Sequence, residues 1–257
     1  MQAQDYGWLR EADPAMALEH RIAPPGGYVR EPAAPGSMTA WLRGLPLLPG
    51  RPEVLLYNGT PKGNQTAHYA VVQIDVGNRD LQQCADAVMR LRAEYLYACG
   101  RHADIHFDFT SGDRADYPRW RDGWRPQIQG NSVKWTKQAA YDDSYATFRR
   151  YLDVVFTYAG TWSLSRELVP VADPHDLRPG DVFIQGAFPG HAVLVVDVAV
   201  HAGTGRKVFL LAQSYMPAQQ MHILRHPGRD TPWYETPATS LATPEWFFPA
   251  GSLKRWP

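Results

Sequence analysis

Cysteine, runs of one charge and long apolar stretches are all scarce in this sequence. Only two cysteines, Cys84 and Cys99, occur in 257 residues, too few for a disulfide framework. They fall near opposite ends of one expected helix, about 22 Å apart at 1.5 Å per residue, which is beyond disulfide reach. Both are therefore expected as free thiols. Lys and Arg total 26 and Asp and Glu total 26. No run of basic residues marks a phosphate-binding stripe, so nucleic acid is not an expected partner. The longest largely apolar stretches have about ten residues, half of what a membrane helix needs, and no transmembrane segment is expected. Residues 1–16 contain neither a positive n-region nor an apolar h-region, so they are not an intact signal peptide. A G-x-S-x-G elbow is missing, which argues against a serine hydrolase of that type. No H-E-x-x-H or C-x-x-C motif points to a metal.

What is present suffices for a core: 44% of residues are apolar and 12% aromatic, and high net charge, the mark of disorder, is missing. With no internal repeat and no long linker, residues 1–257 are expected to form a single domain. Residues 1–38, rich in Pro, Gly and Ala, read as an irregular arm. Residues 39–47 suit a short helix. EVLLYNG (53–59) and HYAVVQIDVG (68–77) read as strands. The strongest helix begins near Cys84 and runs to Gly100, with Asp80 and Gln83 as a capping pair and Val88, Leu91, Tyr95 and Leu96 at helical spacing. Residues 101–165 are expected to form an irregular insertion. Within it and just beyond, 144–168 suits a second helix that Gly160 splits, capped by Asp142, Asp143 or Ser144. DVFIQ, HAVLVVDVAV and KVFLLAQSY then read as an antiparallel meander. The segment 222–257, with several Pro and Trp, is expected to wrap around the rest. The fold class is α+β, a Cys-bearing helix packed on an antiparallel sheet of four to six strands.

Two residues stand where chemistry is possible. Cys84 lies in the first turn of its helix, where free N–H groups and the positive dipole end lower a thiol pKa and stabilise an oxyanion. Cys99 sits at the unfavourable end. The bland alternative for Cys84 is a small buried hydrophobe on the apolar stripe. His191 opens a strand directly after Pro189-Gly190, so its ring would be rigidly held at the mouth of a cleft; its bland alternative is an ordinary strand-edge histidine. His68, Lys62 and Tyr57 are weaker candidates for the same cleft, with a structural role the more common one for His68. His102, Asp104, His106 and Asp108 alternate in a way that would put all four on one side of a strand. The tryptophans of 120–135 suit either sugar stacking or core.

The stretches QCADAVMRLRAEYLY and RPGDVFIQGAFPGHAVLVVDVA resemble the Cys-bearing helix and the Gly-Asp and Gly-His strands of NlpC-like, papain-like cysteine peptidases. A second resemblance covers nearly the whole chain: WLRGLPL, DLQQCADAVMRLRAEYLY, FTSG, YAGTWSL, GDVFIQG, PGHAVLVVDVA, LLAQSYMPAQ and TPEWFF look like the family called domain of unknown function 4846, bacterial proteins that often carry an export signal. The first resemblance implies a papain-like core and a thiol hydrolase of amide bonds, with peptidoglycan peptides as substrate. Cys84 would be the nucleophile, His191 the base, and Gln213 the polar residue that orients the imidazole. Gln83 and Tyr57 would help to bind the substrate oxygen. No cofactor and no metal are implied. The alternative is a non-catalytic envelope protein that binds glycan or peptide. The second resemblance implies a periplasmic or secreted location, the export signal lying outside this chain. The chain departs from the peptidase pattern in reading Gln-Cys-Ala-Asp where those enzymes have Asp-Cys-Ser or Asp-Cys-Gly. Cys84 and His191 are also more than a hundred residues apart, which the insertion would explain.

Overall fold

The computed structural model describes residues 6–257; residues 1–5, the start of the expected arm, lie outside the described residues. The eleven-residue strand His191–His201 organises the fold. Its run of Ala and Val is buried almost throughout, as expected of a strand covered on both faces rather than one. Ala192, Leu194, Val196 and Ala199 face the larger core, and Val193, Val195 and Val198 face a second, smaller one. The two faces exchange parity around Asp197. The reason is a register shift against the partner strand Lys207–Gln213: Leu210 pairs with Asp197 but Leu211 pairs with Val195, a β-bulge that turns the inward set over.

The sheet has nine strands, all antiparallel, against the four to six expected. Its main order is His68–Val71, His222–Leu224, Lys207–Gln213, His191–His201, Val182–Gln185, Leu253–Arg255 and Val169–Pro170. Tyr28–Val29 adds to the far end of the His191 strand and Tyr234–Glu235 to the Lys207 strand. The excess is the three two-residue strands, which are too short to carry an alternation that sequence could show. Two expectations on outer segments are corrected in the same way. The segment after residue 222 supplies three strands of the sheet, at His222–Leu224, Tyr234–Glu235 and Leu253–Arg255, in addition to wrapping the smaller core with Leu241 and Phe248. EVLLYNG is not a strand. It makes only single bridges, Leu55 with Pro61 and Leu56 with Gln219, because its bonds go to its own turn and to the 218–220 loop.

The helices cover the larger core. Cys84–Ala98 packs across the His191 strand, and Met38–Arg43 packs on the same strand. Tyr145–Tyr158 and Thr161–Glu167 are two helices divided at Gly160, the first capped by the Ser144 hydroxyl, 3.2 Å from the Thr147 N–H. The insertion is more regular than its composition suggests. It holds two hairpins, His106–Asp108 with Arg114–Asp116 and Trp124–Gln129 with Ser132–Lys137, joined through the short helix Tyr117–Arg121. Trp120 is buried, and Arg119 and Arg125 lie over the rings of Trp124, Trp135 and Trp120. No helix among the described residues is long and apolar enough to cross a membrane.

Candidate active site

The start of the Cys84 helix is held by side chains from three directions. Gln83 is the N-cap, and its N–H donates to Asp86 Oδ2 at 2.9 Å, so the capping pair is Gln83 with Asp86 and not Asp80 with Gln83. Asp80 instead accepts from the Gln83 side-chain amide (3.0 Å) and from the Ala218 N–H (2.6 Å). The Ser214 hydroxyl is 2.9 Å from the carbonyls of both Gln82 and Gln219. Arg90, wholly buried one and a half turns into the helix, reaches back to Gln82 Oε1 (2.6 Å) and to Asp75 (2.8 Å) while its Nε pairs with Glu94 (2.8 Å). These bonds dock the turn that presents Cys84 onto the end of the Lys207–Gln213 strand, where Gln213 stands.

His191 enters from the neighbouring strand, where it is the register partner of Gln185. The loop before it is tight: a Cβ on Gly190 would lie 2.3 Å from the Ala187 carbonyl and 2.4 Å from the Thr161 hydroxyl, so only glycine fits. His191 Nε2 is 3.0 Å from Gln213 Oε1. The Gln213 amide nitrogen donates in turn to Glu245 Oε2 (2.7 Å) and towards His222 Nε2 (3.2 Å). With the amide thus oriented, its oxygen faces His191, which assigns the ring proton to Nε2 and leaves Nδ1 the basic atom. Glu245 is itself ion-paired with Lys62. A chain of four side chains therefore runs from Lys62 through Glu245 and Gln213 to His191. The Ala192 amide, next to His191 in the chain, favours the Cys84 thiolate, so the sulfur lies near the start of that strand.

Of the expected site residues, then, His191 and Gln213 are hydrogen-bonded at one sheet end, and Cys84 starts the helix that packs across the His191 strand. Gln83 serves the cap. Tyr57 lies in a turn whose N–H donates to Ala218 at 2.8 Å, in the loop that Asp80 holds. His68 is buried and bonded through Nε2 to the Pro52 carbonyl at 2.9 Å, away from His191, which is the structural role. His102, Asp104, His106 and Asp108 do not lie on one strand: His102–Asp104 is a 3-10 turn, and His102 faces Arg121 while Asp104 pairs with Arg101. Sequence reasoning missed Glu245, Tyr215, Trp246 and His222. The rings of Tyr215, Trp246 and Phe248 stand 4.8, 5.2 and 5.8 Å from that of His191. All but His222 lie in AQSYMPAQ and TPEWFF, short polar-aromatic segments that carry no periodicity.

The electrostatics differ from the expected pattern. Position at a helix start predicts a depressed thiol pKa, but Cys84 is only 9% exposed and burial, followed by the Asp86 carboxylate, pushes it up to about 11. The amides of Ala85, Ala192 and Cys84 oppose this without overcoming it. His191 is 1% exposed, so it does not stand at an open cleft mouth; burial lowers it to about 4 against the support of Gln213 and Glu245. Thiol and imidazole are thus both neutral at rest. The labelling order follows. Iodoacetamide at pH 7 should modify the exposed Cys99 before the buried Cys84, as peptide mapping of partly labelled native protein would show; preferential labelling of Cys84 would mean that its turn opens far more readily than its packing implies.

The same burial makes stability acid-sensitive. His222, fully enclosed, is lowered to about 3, first by burial. An unfolded histidine titrates near 6.5, so between that value and the folded ones the unfolded chain binds more protons. Stability from His191 and His222 is fully present above pH 6.5 and is lost as pH falls through about 4 and about 3. Urea midpoints measured from pH 7 to 4.5 should fall, and His222→Gln should flatten the fall. An unchanged slope would show that His222 is not the group responsible.

The fold and this site define an α+β protein in which a cysteine-bearing helix packs across the strand that His191 opens, in the middle of an antiparallel sheet. The chain belongs to the family described as domain of unknown function (4846), whose model matches residues 18–255. No curated protein and no solved structure matches it.

Proposed function

We propose that the protein is a cysteine hydrolase of amide bonds with a papain-like arrangement, acting on peptides of the peptidoglycan type. The observation that carries this reading is the hydrogen bond of His191 Nε2 to Gln213, which leaves Nδ1 as the basic atom of the ring. In the reaction, Cys84 Sγ attacks the substrate carbonyl and its proton passes to His191 Nδ1. The carbonyl oxygen becomes an oxyanion held by N–H groups at the helix start. The C–N bond then breaks, His191 returns the proton to the leaving amine, and water hydrolyses the thioester by the same base. A neutral pair suits this order, with proton transfer accompanying attack instead of preceding it. Glu245, acting through Gln213, favours the imidazolium that forms. Phe188, 98% exposed on the loop before His191, is an apolar handle for substrate. Export to the periplasm or beyond belongs to the same reading.

One observation favours a second reading. The enclosed, high-pKa thiol also suits an envelope protein that keeps the arrangement and binds peptide or glycan without cleaving it. Incubation with purified peptidoglycan, with soluble products read by mass spectrometry, separates the two. The hydrolase should release peptides carrying new termini, and Cys84→Ala should release none. Sedimentation of intact wild-type protein with the polymer, with no product, would replace the hydrolase by the binder.

A further inference from the structure

A cavity of about 420 Å³ lies far from this site. It opens beside Arg92 and Leu96 on the Cys84 helix, and Leu96 is about 18 Å along that helix from Cys84 at 1.5 Å per residue. The first hairpin of the insertion lines it with His106, Asp108 and Arg114, and Glu167 and Trp256 line it as well. Its polar groups are unusually short of partners. Ten buried side-chain nitrogen or oxygen atoms among the described residues lack a hydrogen bond, and three of them belong to residues of this cavity: His106 Nδ1, Glu167 Oε2 and Trp256 Nε1. Unpaired buried polar atoms cost stability, and a polar guest in the hollow, once these side chains turned towards it, would relieve that cost.

The charge around the cavity indicates what. Two of its arginines are already neutralised, Arg101 by Asp104 and Arg114 by Asp116, each at 2.7 Å. Arg92 has no carboxylate within ion-pair distance among the described residues; it lies 5.4 Å from the Trp256 ring centre and 3.7 Å from the Met38 sulfur. Arg101 repels it. Glu167 accepts the Asp108 N–H through Oε1 at 2.9 Å; burial raises it to about 8 against that bond, with the Asp108 carboxylate adding to the rise and Arg114 opposing it. At neutral pH it is therefore a carboxylic acid with a proton to donate. His106, lowered by burial and by Arg114 and Arg92, is neutral. Asp108 is the opposing carboxylate and disfavours a ligand with more than one negative charge.

We propose that this cavity binds a small monocarboxylate, with Arg92 as its counter-ion and Glu167 as its hydrogen-bond donor. The test is a titration of ¹⁵N-labelled full-length protein with sodium propionate, and separately with sodium phosphate, following the Trp256 indole N–H resonance, which Trp256→Phe identifies. Propionate should shift it saturably at pH 6.5. Binding should weaken at least tenfold in Arg92→Gln and stay within a few-fold in Arg92→Lys, which keeps the charge and controls for folding. It should also weaken as pH rises past 8, where Glu167 ionises and repels the anion, and Glu167→Gln should remove that dependence. No saturable shift with propionate, or equal binding by Arg92→Gln, would overturn the proposal. Saturation by phosphate alone would overturn the carboxylate assignment. Peptidoglycan cleavage plays no part in these readouts, so the outcome is independent of the hydrolase reading.

Discussion

Removing the Cys84 sulfur or the His191 ring is expected to lower amide hydrolysis by about 10³-fold or more, and removing both by no more than either alone. In the proposed mechanism the two groups act on one proton: without Nδ1 the thiol, raised to about 11 by burial, has no acceptor for its hydrogen, and without the sulfur the base has nothing to activate. Gln213→Ala should cost less, on the order of tenfold, because the ring remains but both its tautomer and its angle become free once the bond to Gln213 is gone. The comparison is made on single-turnover rates with one purified peptide substrate for the wild type, the three single variants and the Cys84→Ala, His191→Ala double. A double variant much slower than either single would mean that the residues contribute separately, and the shared-proton mechanism would fail.

Asp197→Ala is expected to destabilise the protein by about 3–5 kcal/mol, the range seen when one partner is removed from a buried ion pair. Asp197 has 0% exposure and sits at the bulge of the central strand. One oxygen accepts from Arg43 Nε at 2.8 Å and from the Val198 N–H at 2.9 Å, the other from Arg30 Nε at 2.6 Å. Each guanidinium also binds carbonyls of the N-terminal arm: Arg30 those of Glu19 and Ile22, Arg43 that of Glu31. Removing the carboxylate leaves two poorly solvated cations and unfastens the arm from the sheet. A drop in Tm on the order of 10 °C follows for a chain of this size. The further change Arg43→Met should recover part of the loss, since it removes one stranded charge. Urea denaturation of the three proteins checks this. A loss under 1 kcal/mol for Asp197→Ala would mean that water reaches these cations.

Both predictions rest on contacts of different legibility. The Cys84 helix, its end before Gly100, the break at Gly160, the Ser144 cap and the meander from Val182 to Gln213 follow from period, caps and turn residues that act within a few positions. The pairing of His191 with Gln213 was legible through resemblance, because consecutive antiparallel strands place their ends side by side. Glu245 was not: it stands 32 positions from Gln213 in the chain, in a segment with no regular pattern, and becomes part of the site only when the tail folds across the sheet end. Lys62 was a candidate for the cleft, but its link through Glu245 to Gln213, 151 positions away, shows only in the fold. The bulge at Asp197 was likewise hidden, since an acidic residue inside HAVLVVDVAV reads as an interruption until Arg30 and Arg43 arrive from the arm and the Met38–Arg43 helix.

From its sequence alone the protein is an α+β chain with two free thiols, of which one heads a helix, because local steric preference and hydrophobic period are properties of neighbouring residues. Only the tertiary structure decided how exposed that thiol is and which way its acidity moves. Helix position favours the thiolate through nearby dipoles, but solvation depends on everything packed around the sulfur, and here the enclosure of the sheet end outweighs the dipole.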